Sequence, residues 1–288
     1  MSNNLNINWY PGHMAKTKKQ IEEDLKLVDV VVEVLDARIP YSSQNPDIKE
    51  LTKKKKKILL LNKSDLASEI ETKKWIQYWQ KQNKIALPIN SNTGEGIANV
   101  LKKIKDICSN DLAIQAEKGR IKKNIRIMVI GIPNVGKSSF INRITRKSSA
   151  EVGNKPGVTK QKKWIRIDEQ IELLDTPGVL WPKFEDKCAL HLAYTGTIKD
   201  EIIDKQEVAY RLLTELFQNY KANLVERYKL KEDEMKDITI LELMQIIGKK
   251  RGALVAGGII DEEKVANIIL DDFRMGKLGR ITLERVEV

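Results

Sequence analysis

The chain has 288 residues, 41% of them hydrophobic, which is enough apolar material for one large domain or two smaller ones. Its net charge of +11 favours a polyanionic partner, although a lysine-rich solvated surface would give the same balance. Cys108 and Cys188 stand alone and no apolar run is long, so a disulfide framework, a CxxC zinc site and a membrane span are all excluded, and we expect a cytoplasmic protein.

The first 182 residues alternate between helical and strand patterns. The strand segments are short runs of consecutive apolar residues, which is typical of parallel strands that are buried on both faces. In chain order we predict a helix over 14–27, strands over 28–35 and 57–61, a helix over 69–83, a strand over 85–89, a helix over 97–117, a strand over 125–130, a helix over 137–146 and a hairpin formed by 164–167 and 171–174. Residues 147–162 lack periodicity and predict a mobile loop. This alternation predicts an α/β domain with a mostly parallel sheet and helices on both faces.

After Pro182 the composition shifts to helical patterns. They cover 209–220, 239–248 and 262–275, and only 281–283 could form a further strand. We therefore predict two domains, an α/β domain over 1–182 and an all-helical domain over 183–288.

A GxxxxGKS motif runs from Gly131 to Ser138, between a predicted strand and a predicted helix. In that context the backbone N–H groups of the loop and the start of the helix bind phosphates. Lys137 is expected to reach the β- and γ-phosphate oxygens and Ser138 to supply an oxygen to Mg²⁺. The predicted phosphate contacts come from Asn134, Val135, Gly136, Lys137, Ser138 and Ser139.

Two further segments complete a triphosphate site. In the DTPG motif, residues 175–178, Asp175 can hold Mg²⁺ through water and the Gly178 N–H can face the γ-phosphate. Thr159 is the candidate for a threonine that closes on Mg²⁺ in the triphosphate state, the alternative being an ordinary loop threonine.

The base is predicted to be guanine. The NKSD motif, residues 62–65 (Asn62, Lys63, Ser64 and Asp65), follows a buried strand, and the Asp65 carboxylate can accept from the guanine N1–H and N2 amine, which adenine lacks. Lys63 would lie along the base. Asn90 and Ser91, after the next strand, are positioned for a backbone contact to the guanine oxygen. The sequence therefore predicts GTP or GDP as the ligand.

The order of these motifs is unusual, because NKSD precedes the phosphate loop and DTPG comes last, which indicates a circularly permuted G domain. The chain resembles the YlqF/RbgA (ribosome biogenesis GTPase A) family of circularly permuted GTPases in three more segments: WYPGHMAK at residues 9–16, DARIP at 36–40 and LDTPGVLWP at 174–182. The resemblance implies a GTPase that hydrolyses GTP to GDP and phosphate and binds the large (50S) ribosomal subunit, through rRNA and ribosomal proteins, late in its assembly. It also implies that the helical domain binds RNA.

Many GTPases orient the attacking water with a glutamine directly after DxxG, but Val179 occupies that position here. The permutation moves the helix and strand that ordinarily follow the switch to the N-terminus. Such a helix starts at the carboxyl edge of the sheet, where ligands bind, and His13 precedes it. A neutral imidazole there could orient the water, and the family motif has the matching histidine; a helix-capping or solvent-facing histidine is the alternative.

Asn134 carries a second expectation, because an asparagine at this loop position coordinates K⁺ in related GTPases, where the ion stands in for an arginine finger. Basic clusters that could contact RNA are the run 53–57, then Lys249, Lys250 and Arg251, and finally Arg274, Lys277 and Arg280. Two other functions stay open at this point, a GTP-dependent RNA-binding module with negligible hydrolysis and a tRNA-directed GTPase. We expect a monomer off the ribosome.

Overall fold

The computed structural model describes residues 11–117, 124–145, 164–174, 186–231 and 233–286. Contacts divide the chain into two compact units. The sheet unit comprises residues 9–183 together with 284–288, and the helical unit comprises residues 184–283. The division differs from the predicted domains at the C-terminus, where residues 284–288 group with the sheet unit. Within the described part of the chain, every helix is too short or too polar to cross a bilayer.

A six-stranded sheet forms the centre of the sheet unit, with spatial order β3-β2-β1-β4-β6-β5. Its strands are β1 (Val30–Asp36), β2 (Lys56–Asn62), β3 (Ile85–Pro88), β4 (Ile125–Ile130), β5 (Trp164–Arg166) and β6 (Ile171–Leu174). All neighbours are parallel except β5, which pairs antiparallel with β6 in the predicted hairpin. β2, β1 and β4 are neighbouring parallel strands, so the strand before the NKSD segment, β2, and the strand before the phosphate loop, β4, end on the same edge.

Helices cover both faces of this sheet. They are α1 (Pro11–Leu25), α2 (Pro46–Leu51), α3 (Glu69–Lys81), α4 (Ile97–Glu117) and α5 (Lys137–Thr145). On one face Ile21 and Leu25 of α1 pack with Met128 of β4 and Leu174 of β6. Against the other face Trp75 and Trp79 of α3 pack in a cluster with residues of β1 and β2. The predicted α/β arrangement, a mostly parallel sheet with helices on both faces, is confirmed.

The helical unit is built from α6 (Asp186–Tyr194), α7 (Lys205–Asn219), α8 (Lys221–Tyr228), α9 (Ile240–Lys250) and α10 (Glu262–Arg274). Side chains cap the first turns, as where Thr239 and Glu242 form a capping box on α9 and Asp204 accepts from the first turn of α7. The two amphipathic helices α7 and α10 bury their apolar faces against each other, so the core of this unit consists of helix-to-helix contacts.

Several predicted elements need correction. The first helix begins at Pro11, so His13 lies within its first turn rather than before it, because proline is favoured at the start of a helix. Residues 281–283 do not form a strand: Ile281 and Thr282 are buried and Thr282 bonds to the Tyr220 hydroxyl. The short helices α2, α6 and α8 were not predicted. The mobile loop predicted over 147–162 lies outside the described residues.

Candidate functional site

The phosphate loop connects β4 to α5, and its glycines are sterically required. A Cβ added to Gly131 would lie 2.5 Å from the Val34 carbonyl oxygen, and one added to Gly136 would lie 2.1 Å from Asn62 Nδ2. Both glycines also have positive φ, +150° and +94°. No residue with a side chain fits this backbone path, and the glycine spacing of the motif therefore follows from the geometry of the loop.

Lys137, the first residue of α5, turns back over the loop. Its Nζ donates to the carbonyl oxygens of Gly131 at 2.7 Å and Ile132 at 2.9 Å. No carboxylate in the described part of the chain pairs with it, and burial lowers the pKa of the ammonium to about 8. An anionic ligand would restore the charged form that burial disfavours, as expected of a phosphate-binding lysine.

Asn62 joins the three loops that the sequence assigns to the ligand. Its Nδ2 donates to the Val135 carbonyl at 2.7 Å, and its Oδ1 accepts from the Ser91 backbone N–H at 3.0 Å. The side chain is 3% exposed, so both bonds are shielded from water. The base-reading segment, the phosphate loop and the 90–94 loop are thereby held together, although the first two are about 70 residues apart in the sequence.

The two charged residues of the NKSD segment differ in their surroundings. Lys63 has a left-handed backbone, φ 59°, and its Nζ donates to the Asn134 carbonyl at 2.7 Å and to Asp36 Oδ2 at 2.9 Å. The Asp65 side chain is exposed and makes no hydrogen bond or ion pair with any described residue. Asp65 thus offers both carboxylate oxygens to a ligand, whereas Lys63 is held in place by the protein.

The 90–94 loop is fixed from both sides. Asn90 Oδ1 accepts from the backbone N–H groups of Asn92 at 2.9 Å and Thr93 at 3.2 Å, and Arg143 Nε donates to the Ser91 carbonyl at 3.3 Å. The Ser91 hydroxyl is buried without a hydrogen-bond partner among the described residues. A buried hydroxyl in that state is suited to a polar ligand group at the loop.

Sequence reasoning did not identify Asp36 and Arg38 as part of the site. Both are 1% exposed, and the Arg38 guanidinium donates to the carboxylate in a bidentate pair, Nε to Oδ1 at 3.0 Å and NH2 to Oδ2 at 2.8 Å. Burial by itself would raise the pKa of Asp36, but the charges and hydrogen bonds of Arg38 and Lys63 outweigh it and hold the pKa well below its usual range. The signal was available, since an acid directly ends the buried strand β1 at the ligand edge.

Of the other predicted site residues, the structure describes the side chains of some and not of others. Ser138 and Ser139 lie in the first turn of α5, and Ser138 is exposed with no hydrogen bond to a described residue, so its hydroxyl oxygen suits Mg²⁺. His13 lies in the first turn of α1, but its side chain is outside what the structure describes. Thr159, Asp175 and Gly178 also lie outside the described residues.

Most of the predicted RNA-facing cations are engaged within the protein. In the run 53–57, Lys55 donates to the Val28 carbonyl. Ion pairs involve Lys53 with Glu50, Lys56 with Asp111, Lys57 with Glu33, Lys250 with Glu234, Arg274 with Asp200 and Lys277 with Asp272. Lys54, Lys249 and Arg251 are exposed. Arg274, which also donates to the carbonyls of Tyr194 and Ala193, has a structural role in the helical unit.

Comparisons with known proteins show which family the chain resembles. A sequence model of the family described as "50S ribosome-binding GTPase" matches residues 126–245, which begin at the strand before the phosphate loop. The chain is 45% identical to a ribosome biogenesis GTPase A from Bacillus pumilus over 98% of this chain and all of that protein. Among solved structures, a GDP-bound TM YlqF is 28% identical, with a TM-score of 0.70, and covers 93% of this chain and 100% of that one. A GNP-bound YlqF from T. maritima is 28% identical, with a TM-score of 0.65, and covers 94% of this chain and 98% of that one.

Proposed function

The chain belongs to the ribosome biogenesis GTPase A family, and from this premise we propose that it acts on the large ribosomal subunit, at a late maturation step in the cytoplasm. It is a GTPase of ribosome assembly and binds guanine nucleotides. The observation that carries the proposal is that Asn62 joins the NKSD segment to the phosphate loop. It is found in a chain whose relatives, matched over nearly their full length, are ribosome biogenesis GTPases A. The target subunit is supported by the matched family's description as 50S ribosome-binding.

In the proposed guanine site, the exposed Asp65 carboxylate accepts from the base N1–H and amine. An unpaired carboxylate would reject adenine, because adenine cannot supply those donors. Lys63 lies along the base, where its bonds to Asp36 and Asn134 keep it in place. The backbone near Asn90 and Ser91 contacts the guanine oxygen. The proposal is supported by the bonds that fix these groups before any ligand binds.

At the phosphates, Lys137 and the N–H groups of residues 134–139 hold the β- and γ-oxygens, with the Gly178 N–H as a further donor. Mg²⁺ would be held by the Ser138 hydroxyl and Thr159, with Asp175 through water. The ion would neutralise the charge that develops on the phosphate oxygens during hydrolysis. The protein contributes the fixed loop, whose two glycines allow the backbone to approach closely.

His13 is the proposed catalytic residue. An α-helix rises about 1.5 Å per residue, so the fifteen residues of α1 span about 22 Å. The seven residues of β1 span about 23 Å at roughly 3.3 Å each, so a helix that turns back beside its strand starts level with the strand's carboxyl end. Only four residues separate the end of α1 at Leu25 from the start of β1 at Val30, which supports this antiparallel run.

The His13 proposal is tested by turnover with purified large subunits. Loss of an imidazole that orients the attacking water should lower subunit-stimulated turnover by about 100-fold in His13→Ala, with nucleotide affinity unchanged. His13→Gln, which restores the side chain found after DxxG in many GTPases, is the matched control and should recover part of the rate. Equal stimulated turnover in wild type and His13→Ala would remove the role.

K⁺ stimulation through Asn134 is a separate proposal. The Asn134 carbonyl is already occupied by Lys63, and its left-handed backbone, φ 60°, fixes the residue at the mouth of the loop. A cation coordinated by the side chain would add positive charge near the phosphates. Turnover should therefore be higher in KCl than in NaCl, and Asn134→Ala should abolish the difference. Equal rates in the two salts would end this proposal.

Target specificity is tested by co-sedimentation. The protein should sediment with immature large subunits when a GTP analogue is bound and be released after hydrolysis to GDP. Small subunits and bulk tRNA are the matched competitors, since both are polyanions with the same salt-dependent attraction. Binding that is equal to all three, or stimulation by tRNA alone, would contradict action on the large subunit. A monomer is expected throughout in the absence of subunits.

A further inference from the structure

The last described residues of the chain are bonded into the sheet unit, next to the loop that follows β1. Glu284 accepts at its carboxylate from the backbone N–H groups of Tyr41 at 2.5 Å and Ser42 at 3.0 Å, and from the Ser42 hydroxyl. Its own carbonyl accepts from the Trp75 indole at 2.9 Å. Two residues later, Val286 packs on the apolar cluster around α3. A bidentate carboxylate with three donors is a built attachment rather than a loose chain end.

The loop that Glu284 holds, residues 36–43, is also part of the ligand site. Its first and last residues are joined, because the Asp36 N–H donates to the Ser43 hydroxyl at 3.1 Å, and Ser43 in turn donates to the Ile39 carbonyl at 2.7 Å. At the other side, the Asp36 carboxylate accepts from Lys63. The loop thus connects the C-terminal segment with the lysine of the base-reading motif.

We propose that Glu284 is a positioning residue for the guanine site, acting through the 36–43 loop and Asp36 on Lys63. The acceptor groups along this route are shielded from water: Glu284 is 9% exposed, Ser43 0% and Asp36 1%. Bonds of this kind hold their geometry because water does not compete for the partners. Glu284 thus supports the 36–43 loop from which Asp36 holds Lys63 beside the base, and its loss should weaken this support without removing the bonds from Arg38 and to Asn134.

The chain just before Glu284 is held in the helical unit. The Thr282 carbonyl accepts from the Tyr220 hydroxyl at 2.5 Å, and the Thr282 N–H donates to the Tyr220 hydroxyl oxygen at 3.2 Å. Only Leu283 separates Thr282 from Glu284. Thr282 and Glu284 therefore belong to different units, although a single residue separates them in the chain.

The test measures the affinity for fluorescent GDP and for a GTP analogue in the full-length chain. Glu284→Gln leaves one acceptor oxygen for three donors, and both nucleotides should bind about fivefold more weakly. Trp75→Phe keeps the ring in its cluster and removes only the bond to the Glu284 carbonyl, so the loss should be about twofold. Turnover at saturating GTP should stay unchanged in both variants, because the effect is on the base and not on the γ-phosphate.

Trp79→Phe is the matched control, since Trp79 is buried in the same cluster on the same helix but does not bond to Glu284. Its effect on thermal stability should resemble that of Trp75→Phe, with no change in GDP affinity. If Glu284→Gln weakens GDP no more than Trp79→Phe does, the positioning role is overturned, whatever the change in stability.

A double-mutant cycle identifies the route. If Glu284 acts through Lys63, then Glu284→Gln should weaken GDP binding by less than 1.5-fold when Lys63→Ala is already present. If the loss of GDP affinity in the double variant equals the product of the losses in the two single variants, Glu284 acts independently of Lys63 and the proposed route is overturned. The measurement is of GDP affinity alone, so it stands or falls separately from His13 and from the ribosomal target.

Discussion

The two units of this protein carry opposite charge. Residues 184–283 contain 16 lysines and arginines against 18 aspartates and glutamates, whereas the rest of the chain contains 35 against 22. The whole positive balance of the protein, +11, therefore resides in the unit that binds the nucleotide. A net charge computed for the full chain does not identify the unit that contacts a polyanion, and it does not support RNA binding by the helical unit.

Local structure in the helical unit leads to the same conclusion. Several of its basic residues neutralise buried or half-buried acids, as Arg227 and Lys277 do for Asp272. A pocket of about 450 Å³ between α7, α9 and α10 is lined by Asp204, Glu207 and Glu262, with no basic residue in its described lining. Among the described residues of this unit, exposed cations such as Lys249 and Arg251 remain candidates for RNA contacts. The two units should therefore also differ in stability and in binding.

The largest expected effect concerns buried ion pairs. Arg38→Ala leaves the Asp36 carboxylate buried with Lys63 alone, and the free energy of unfolding of the sheet unit should fall by about 3 kcal/mol. In the helical unit, Arg227→Ala should cost only about 1 to 2 kcal/mol, because Arg227 is 22% exposed and Lys277 still contacts Asp272. Urea denaturation of both variants measures the two costs, and equal losses would show that burial does not separate the pairs.

The same pair defines an acid limit for the sheet unit. The folded pKa of Asp36 lies below the value of about 3.9 in an unfolded chain, so its stabilisation is complete above that pH. This stabilisation is lost as the pH falls below the unfolded pKa of about 3.9 and through the lower folded pKa of Asp36. Wild type should therefore lose stability more steeply than Arg38→Ala below pH 4, and parallel pH profiles of the two proteins would contradict this assignment.

The next effect compares two glycines with similar backbones. Gly136 and Gly257 have φ of +94° and +84°, but a Cβ at Gly136 would strike Asn62 while one at Gly257 meets nothing within 4 Å. Gly136→Ala should weaken GDP binding by about 100-fold, since the loop must move away from the phosphates. Gly257→Ala carries the same strain and should leave GDP binding unchanged. Isothermal titration of both variants measures this, and similar losses would mean that backbone strain alone explains the effect.

The sequence was sufficient for the parts of the site that a motif specifies. The loop glycines and Lys137 lie as the motif predicts, because the geometry of a phosphate loop demands those residue types at those spacings. The guanine-reading role of Asp65 stays a prediction. The strands β1, β2 and β4 could be predicted because they are largely buried and consist of nearly continuous apolar residues. The roles of Thr159, Asp175 and Gly178 stay predictions.

The sequence was not sufficient where function depends on contacts between distant residues. Glu284 lies more than 240 positions from Tyr41, and no pattern in its neighbourhood distinguishes it from a surface glutamate. Arg274 illustrates the opposite error, because a cation in a basic cluster predicted an RNA contact, but its guanidinium is bonded to Asp200. Short helices such as α8, with eight residues, are too brief for a periodic pattern to predict.

A smaller effect is a pH dependence that only the sheet unit should show. Lys137 has a pKa of about 8 without ligand, whereas bound phosphates require it charged, so binding takes up a proton above that pH. Nucleotide affinity should fall about fourfold between pH 7 and pH 8.5, since the protonated fraction of the free protein falls by that factor. Lys137→Arg, which stays charged, should bind with no such trend. A flat profile in wild type would show that the ammonium remains protonated in the free protein.

The smallest effect decides which unit contacts RNA. Lys249 and Arg251 are exposed at the end of α9, and each phosphate contact that is lost should lower the slope of log affinity against log salt by about 1. The double variant Lys249→Ala, Arg251→Ala should therefore lower the slope for large subunits by about 2, while guanine-nucleotide affinity stays the same. Lys54→Ala is the matched control, since Lys54 is equally exposed but precedes β2, at the sheet edge opposite the phosphate loop. If Lys54→Ala lowers the slope and the double variant does not, the RNA surface belongs to the sheet unit, as its net charge alone would suggest.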